Sequence, residues 1–184
     1  MQVILDSNNR ILHAEGCGQQ SSREAIIRAP DRCSAESEMT LPGLCIKRCR
    51  YIQAQHIQDG NDGCLSILTS GREVPFDIKR VYFINGFKVQ QSVRGKHAHK
   101  HLDQALFCLS GNFVLYLEDG RKQQSLMLSA GPTGVWIGKA VWHTMESLSQ
   151  NCVILVLASA PYDEHDYIRD FDEFKRLTTD SAIL

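Results

Sequence analysis

Two hydrophobic periods organise the chain. From about residue 51, short runs rich in β-branched and aromatic residues recur with turn residues between them, which is a strand pattern. The predicted strands are 65–68, 78–84 (IKRVYFI), 104–109 (QALFCL), 112–117 (NFVLYL), 124–128, 134–137 and 152–158. Glu118-Asp119-Gly120 follows one of them, and Asp-Gly is a hairpin signal. Regularly spaced short strands with no helix between them predict an all-β sandwich or barrel. The period changes near the end. In DYIRDFDEFKRL, Tyr167, Phe171, Phe174 and Leu177 recur at helical spacing, with Ile168 beside them. A short C-terminal amphipathic helix laid on the sheet is expected, with Asp166 as N-cap, Lys175 and Arg176 at its basic end, and 178–184 fraying.

The first 50 residues look different. VILDSNNRIL reads as two short strands around a turn, and the polar, Gly/Ser-rich stretch after it reads as an irregular extension closed by Pro42-Gly43. The expected division is an N-terminal extension, 1–50, of unassigned role, and one domain over 51–184. A length of 184 residues suits that division.

Charge and cysteine usage remove several classes. Lys and Arg number 20 against 21 Asp and Glu, so the basic surplus of a nucleic-acid-coating protein is missing. The longest apolar stretch, Val153–Ala158, is strand-sized and far below the ~20 residues of a membrane span. MQVILDSNNR lacks the basic and apolar regions of a secretory signal. Seven Cys, an odd count without CxxC pairs, read as reduced structural thiols in a cytoplasmic protein.

The chemistry concentrates in VRGKHAHKHLDQALFCLSG, residues 93–111. His97 and His99 are two apart, so on a strand both imidazoles project from one face. Arg94 and Gly95 precede them, Gln104 follows, and His143 comes later, after GVWIGKAVW. That is the spacing of a cupin, a small double-stranded β-helix or jelly-roll barrel whose HxH strand and distant His converge inside. A metal is the first use for such a set. Here the acidic ligand position holds Gln104, whose uncharged amide is a weak ligand. Acid–base chemistry is the second use. A neutral imidazole can take a proton from carbon next to a carbonyl and return it elsewhere, and two side by side can divide work on carbon and oxygen. The guanidinium of Arg94 suits a phosphate or an enolate.

IKRVYFI, RGKHAHKHLDQ, GVWIGKAVWH and above all VLASAPYDEHDYIRDFDEF resemble the sugar 3,4-ketoisomerases acting on dTDP-4-keto-6-deoxyglucose, the WxcM-like C-terminal cupins. The resemblance spans roughly 52–177, and its two end motifs are independent and in the right order. It implies a cupin working without metal or other cofactor, in a homodimer that exchanges N-terminal strands. It implies moving a keto group from C4 to C3 of a dTDP-linked hexose through an enediol, in deoxysugar and surface-glycan biosynthesis. His99 is then the carbon base, with His97 and Tyr82 passing protons between the oxygens. Arg80, Arg94, Gln104 and His143 are then substrate-binding, and Trp142, from its place beside His143, is expected to join them as a stacking platform. Two positions depart from the family pattern: Phe83 stands where a second aromatic hydroxyl is common, and Asp62 where an Arg is common. Those departures keep a non-catalytic sugar-nucleotide-binding cupin as an alternative, beside a metal-dependent cupin enzyme.

Overall fold

The computed structural model describes residues 41–89 and 91–179. The chain falls into two units, Met1–Thr40 and Leu41–Leu184. The first, with the two strands expected in VILDSNNRIL, lies outside the described residues, as do Gln90 and 180–184.

The second unit is two five-stranded antiparallel sheets and a separate hairpin. The strands are β1 (Cys49–Gln53), β2 (Gln55–Gln58), β3 (Cys64–Ile67), β4 (Arg80–Ile84), β5 (Arg94–His99), β6 (Gln104–Ser110), β7 (Asn112–Glu118), β8 (Gln123–Ser129), β9 (Thr133–Ile137), β10 (Trp142–Glu146), β11 (Val153–Ala158) and β12 (Tyr167–Ile168). One sheet runs β1-β9-β6-β11-β4, the other β12-β5-β10-β7-β8, and β2 pairs only with β3. Sequential strands mostly lie in opposite sheets, which is the double-stranded β-helix of a cupin jelly roll. Each strand predicted from residue 65 onward is found within about two residues.

Alternation along the strands builds three apolar layers. Leu106, Cys108, Leu115, Leu117, Val135, Ile154 and Val156 face inward and fill the space between the sheets. The opposite face of the first sheet buries Ala105, Phe107 and Leu157 under Leu68, Phe76 and Ile78 of the β3–β4 loop. The opposite face of the second sheet presents Ala98 and Trp142 to Ile168 and Phe174. Packing starts before residue 51: Ile46 is buried in the central layer, and β1 begins at Cys49.

The helix is shorter than its hydrophobic pattern suggests. Helix α1 spans Phe171–Thr179, preceded by a single 3-10 turn, Glu164–Asp166, and by β12. Asp170 is the N-cap, its Oδ1 accepting the Glu173 N–H at 2.7 Å. Asp170 and Glu173 form the D-x-x-E spacing of a capping box. Asp166, the expected cap, is withdrawn from that role because Tyr167 and Ile168 leave the helical path to pair with His99 and Ala98. Helix α1 is tied down by Lys175 Nζ, which donates to the buried Glu118 carboxylate; the Tyr116 hydroxyl donates to the same group at 2.5 Å.

One backbone irregularity positions the site. His143 pairs with His97 and Thr144 with Gly95, so Lys96 is an extra residue on β5. Gly95 and Lys96 both have positive φ, 80° and 59°. A bulge shifts the parity of a strand. Strict alternation from His97 would turn Arg94 away from the imidazoles; the bulge brings it back to their side. A Cβ on Gly95 would stand 2.7 Å from the His143 carbonyl oxygen. Gly95→Ala therefore meets a left-handed backbone penalty and a backbone clash together. We expect a loss of at least about 2 kcal/mol, a fall in Tm of several degrees, readable by thermal melting. An unchanged Tm would show that β5 and β10 do not need this close approach.

Candidate active site

A cavity of about 480 Å³ opens between the two sheets. β4 contributes Arg80, Tyr82 and Ile84; β5 contributes Arg94, Gly95 and His97; β6 and β10 contribute Gln104, Leu106, His143 and Met145. Tyr162, Tyr167 and Arg169, from the segment before the helix, complete the wall. His97, Tyr82, Arg80, Arg94, Gln104 and His143 are thus brought together around one space.

His99 stands behind that wall. It is 3% exposed, and its ring lies 4.8 Å from that of His97 and 4.5 Å from that of Tyr167, centroid to centroid. Asp166 fixes it: Oδ2 of the carboxylate accepts from His99 Nδ1 at 2.8 Å. Oδ1 of the same carboxylate accepts the His101 N–H at 2.7 Å, and the Asp166 carbonyl accepts the Lys100 N–H. The 3-10 turn and the end of β5 therefore clamp each other, and the tautomer that places its proton on Nδ1 leaves Nε2 of His99 with a lone pair.

Burial keeps all three imidazoles uncharged near neutral pH. His97 is pulled down to about 4, first by desolvation and then by His99, while its Nδ1 donates to the Gly95 carbonyl at 3.0 Å. His99 is lowered by burial, with Asp166 pulling the other way. His143 is held well below the usual histidine value by burial and by the other two rings. Its Nε2 sits 3.0 Å from Gln104 Nε2, so the amide donates and the imidazole accepts, with Nδ1–H directed at the Val141 carbonyl. The Tyr82 hydroxyl is pushed up to about 12 by desolvation, so it stays protonated and can both donate and accept.

These contacts also bear on metal chemistry. One nitrogen of His99 faces Asp166, and one nitrogen of His143 faces the Gln104 amide. Among the described residues no group of three or more His, Cys, Asp or Glu side chains is arranged to hold a metal ion.

Trp142 is a correction. Neighbouring residues on a strand face opposite ways, so with His143 turned inward Trp142 must turn outward. It packs against Phe171 and Phe174 beneath helix α1, with ring centroids 5.0 and 5.6 Å away, and takes no part in the cavity wall. The same parity settles where Phe83 points. Arg80, Tyr82 and Ile84 face the cavity, whereas Val81 and Phe83 face outward and are 52% and 58% exposed. Phe83 removes no hydroxyl from this cavity. Asp62 lies in the exposed β2–β3 turn, away from the cavity wall of this chain.

Sequence reasoning assigned no site role to Tyr162, Asp166, Tyr167 or Arg169. The Arg169 guanidinium lies 4.3 Å above the Tyr167 ring and makes two hydrogen bonds to Glu164, at 2.9 and 3.0 Å. Tyr162 donates its hydroxyl to the same carboxylate. Asp163 caps the 3-10 turn, its Oδ1 accepting the His165 N–H.

Comparison with known proteins agrees with this architecture. Residues 47–179 match the family described as FdtA: WxcM-like, C-terminal. The chain belongs to that family. It is 46% identical over 114 residues to the TDP-4-oxo-6-deoxy-alpha-D-glucose-3,4-oxoisomerase of Aneurinibacillus thermoaerophilus, covering 62% of this chain and 81% of that one. It is similar to the crystal structure of a TDP-quinovose 3,4-ketoisomerase from Campylobacter jejuni, at 42% identity and a TM-score of 0.68, over 71% of this chain and 99% of the other. A histidine-to-asparagine variant of the 3,4-ketoisomerase QdtA from Thermoanaerobacterium thermosaccharolyticum, solved with TDP-4-keto-6-deoxyglucose, is 34% identical with a TM-score of 0.70, over 76% of this chain and 99% of the other.

Proposed function

We propose that this protein is a sugar-nucleotide 3,4-ketoisomerase that converts a TDP-linked 4-keto-6-deoxyhexose to its 3-keto isomer. The observation that carries the reading is a pair of uncharged imidazoles, His97 in the lining of a cavity that also holds three guanidinium groups and His99 directly behind it, with the ring centroids 4.8 Å apart. Kinship to the three isomerases supports the substrate class.

The reaction moves two protons and no external electrons. His99 Nε2 takes the C3 proton; the C–H electrons form the C3=C4 bond, and the C4 carbonyl pair moves onto O4. His97 and Tyr82 then relay the O3 proton to O4. The imidazolium of His99 returns its proton to C4 as O3 re-forms a carbonyl at C3. Asp166 stabilises that transient imidazolium and holds the ring with Nε2 forward. Arg94 and Arg169, both exposed at the mouth, suit the diphosphate, while Gln104 and His143 form the floor.

The product serves, in this reading, as a precursor of a deoxysugar for a surface glycan, made in the cytoplasm. A homodimer with exchanged N-terminal strands belongs to the same reading. It is supported by the β2–β3 hairpin, which pairs with neither large sheet, and by β4, an edge strand that exposes Val81 and Phe83.

The test is direct. Purified full-length protein is incubated with TDP-4-keto-6-deoxyglucose in the presence of a chelator, and the sugar is followed by NMR. A 3-keto product is expected, with light scattering reading about twice the 20.7 kDa chain mass. Folded protein that binds TDP and leaves the sugar unchanged over hours would favour the binding-only alternative.

A further inference from the structure

Resting on that reading, we propose that Arg80 is the group that holds the enediolate oxygens during isomerisation, and not a diphosphate ligand. The strand registers fix its level in the barrel. Ala158 of β11 pairs with Arg80 on one side and Gln104 on the other. Gln104 reaches His143, and His143 pairs across β10 and β5 with His97. Arg80 therefore lies in the same cross-strand row as the floor of the site, level with the imidazoles. Arg94 is displaced from that row, opposite Met145.

The surroundings of Arg80 fit an oxyanion ligand better than a structural ion pair. Its Nε is buried and, among the described residues, has no hydrogen-bond partner. No carboxylate among the described residues pairs with it, in contrast to Arg169, which is already engaged by Glu164. Its guanidinium is flanked by the rings of Tyr82 and Tyr162, at 5.2 and 5.6 Å to the centroids. Two aromatic neighbours hold the plane of the group without consuming its N–H donors. A buried donor with no partner is costly to leave unmade, so it is satisfied when a ligand oxygen arrives.

The chemistry needs such a group. When the C3 proton leaves, negative charge appears on O4 and later on O3, two adjacent oxygens. A planar fork of N–H donors can serve both without moving. Tyr82, protonated beside it, relays the hydroxyl proton between the same two atoms.

Arg80→Gln, Arg80→Lys and Arg94→Gln separate this role from diphosphate binding. Two quantities are read: kcat on TDP-4-keto-6-deoxyglucose, and Kd for TDP, which carries the diphosphate and no hexose. Arg80→Gln is expected to lower kcat about 10²–10³-fold and to move the TDP Kd by less than about threefold. Arg94→Gln is expected to weaken TDP about tenfold or more. If Gln leaves the barrel unfolded, Arg80→Lys carries the test, since it keeps a charge but loses the fork: kcat falls and TDP affinity holds. An Arg80 variant that weakens TDP tenfold while keeping kcat overturns the proposal alone. Wild-type protein that binds TDP and never turns over the keto sugar overturns the functional reading and this proposal together.

Discussion

Replacing His99 by Asn should reduce turnover of TDP-4-keto-6-deoxyglucose by about 10²–10⁴-fold, the range a positioned general base contributes. Asn is close in size and can still meet Asp166, so the β5–β12 pairing should survive. What it lacks is a nitrogen able to accept a proton from carbon. The substrate therefore binds with nearly unchanged affinity while C3–H exchange with solvent deuterium stops. The same substitution at His97 should have a different signature. His97 lines the cavity directly and is assigned to oxygen, so C3–H exchange continues there while net isomerisation slows. NMR in deuterated buffer reads both. Exchange that persists in His99→Asn and stops in His97→Asn would reverse the two roles. The pH dependence follows from the same assignments. Activity needs neutral imidazoles, and both are lowered from 6.5, His97 to about 4. The rate should stay level through pH 7 and decline only below the ordinary histidine range.

The barrel was legible because its strands obey a simple rule of alternation. β6, β7 and β11 are apolar at nearly every inward position, and they form the central layer that sets the architecture. β10, WHTME, carries no such signal: its inward residues are His143 and Met145, and function occupies what would otherwise be an apolar position. β2, QHIQ, is exposed at all four positions, so no burial pattern marks it. The helix start was misplaced for a physical reason. Tyr167 and Ile168 fit a helical stripe with Phe171 and Phe174, yet the same residues also satisfy the edge of β5, and pairing won.

The site was legible on β4, β5 and β6, where two-residue spacing places side chains on one face. Trp142 failed the same parity rule, since it adjoins His143 and so must leave the cavity. Arg94 reaches the cavity only through the bulge at Lys96, whose sequence signal is Gly95 inside a strand. Tyr162, Tyr167 and Arg169 come from a segment with little periodic structure, and their arrival at the mouth depends on the 3-10 turn and the two-residue β12. The D-x-x-E spacing of Asp170 and Glu173 was the available clue that Asp166 was free for other work.

Asp166→Asn tests that other work. The carboxylate can only accept, so it selects the His99 tautomer with hydrogen on Nδ1 and a lone pair on Nε2. An amide can accept from the His101 N–H through its oxygen and turn its NH₂ toward His99. Nδ1 then becomes the acceptor, and the ring proton moves to Nε2, where the base must be free. The loop geometry survives and the chemistry does not; a loss in kcat of about 10²–10⁴-fold is expected with little change in TDP affinity. A second readout separates this from simple loosening of the turn. Asp166 raises the basicity of His99 against the effect of burial. Without its charge, protonation of His99 requires a lower pH, so the acid limb of the residual activity shifts further toward acid. A variant that merely loosens the segment would lower Tm and leave the limb where it was. Asp166→Glu should recover part of the rate, because it restores an acceptor-only partner. If Asp166→Asn keeps full kcat and an unmoved acid limb, the carboxylate only staples the 3-10 turn to β5, and the tautomer of His99 is set by some other contact.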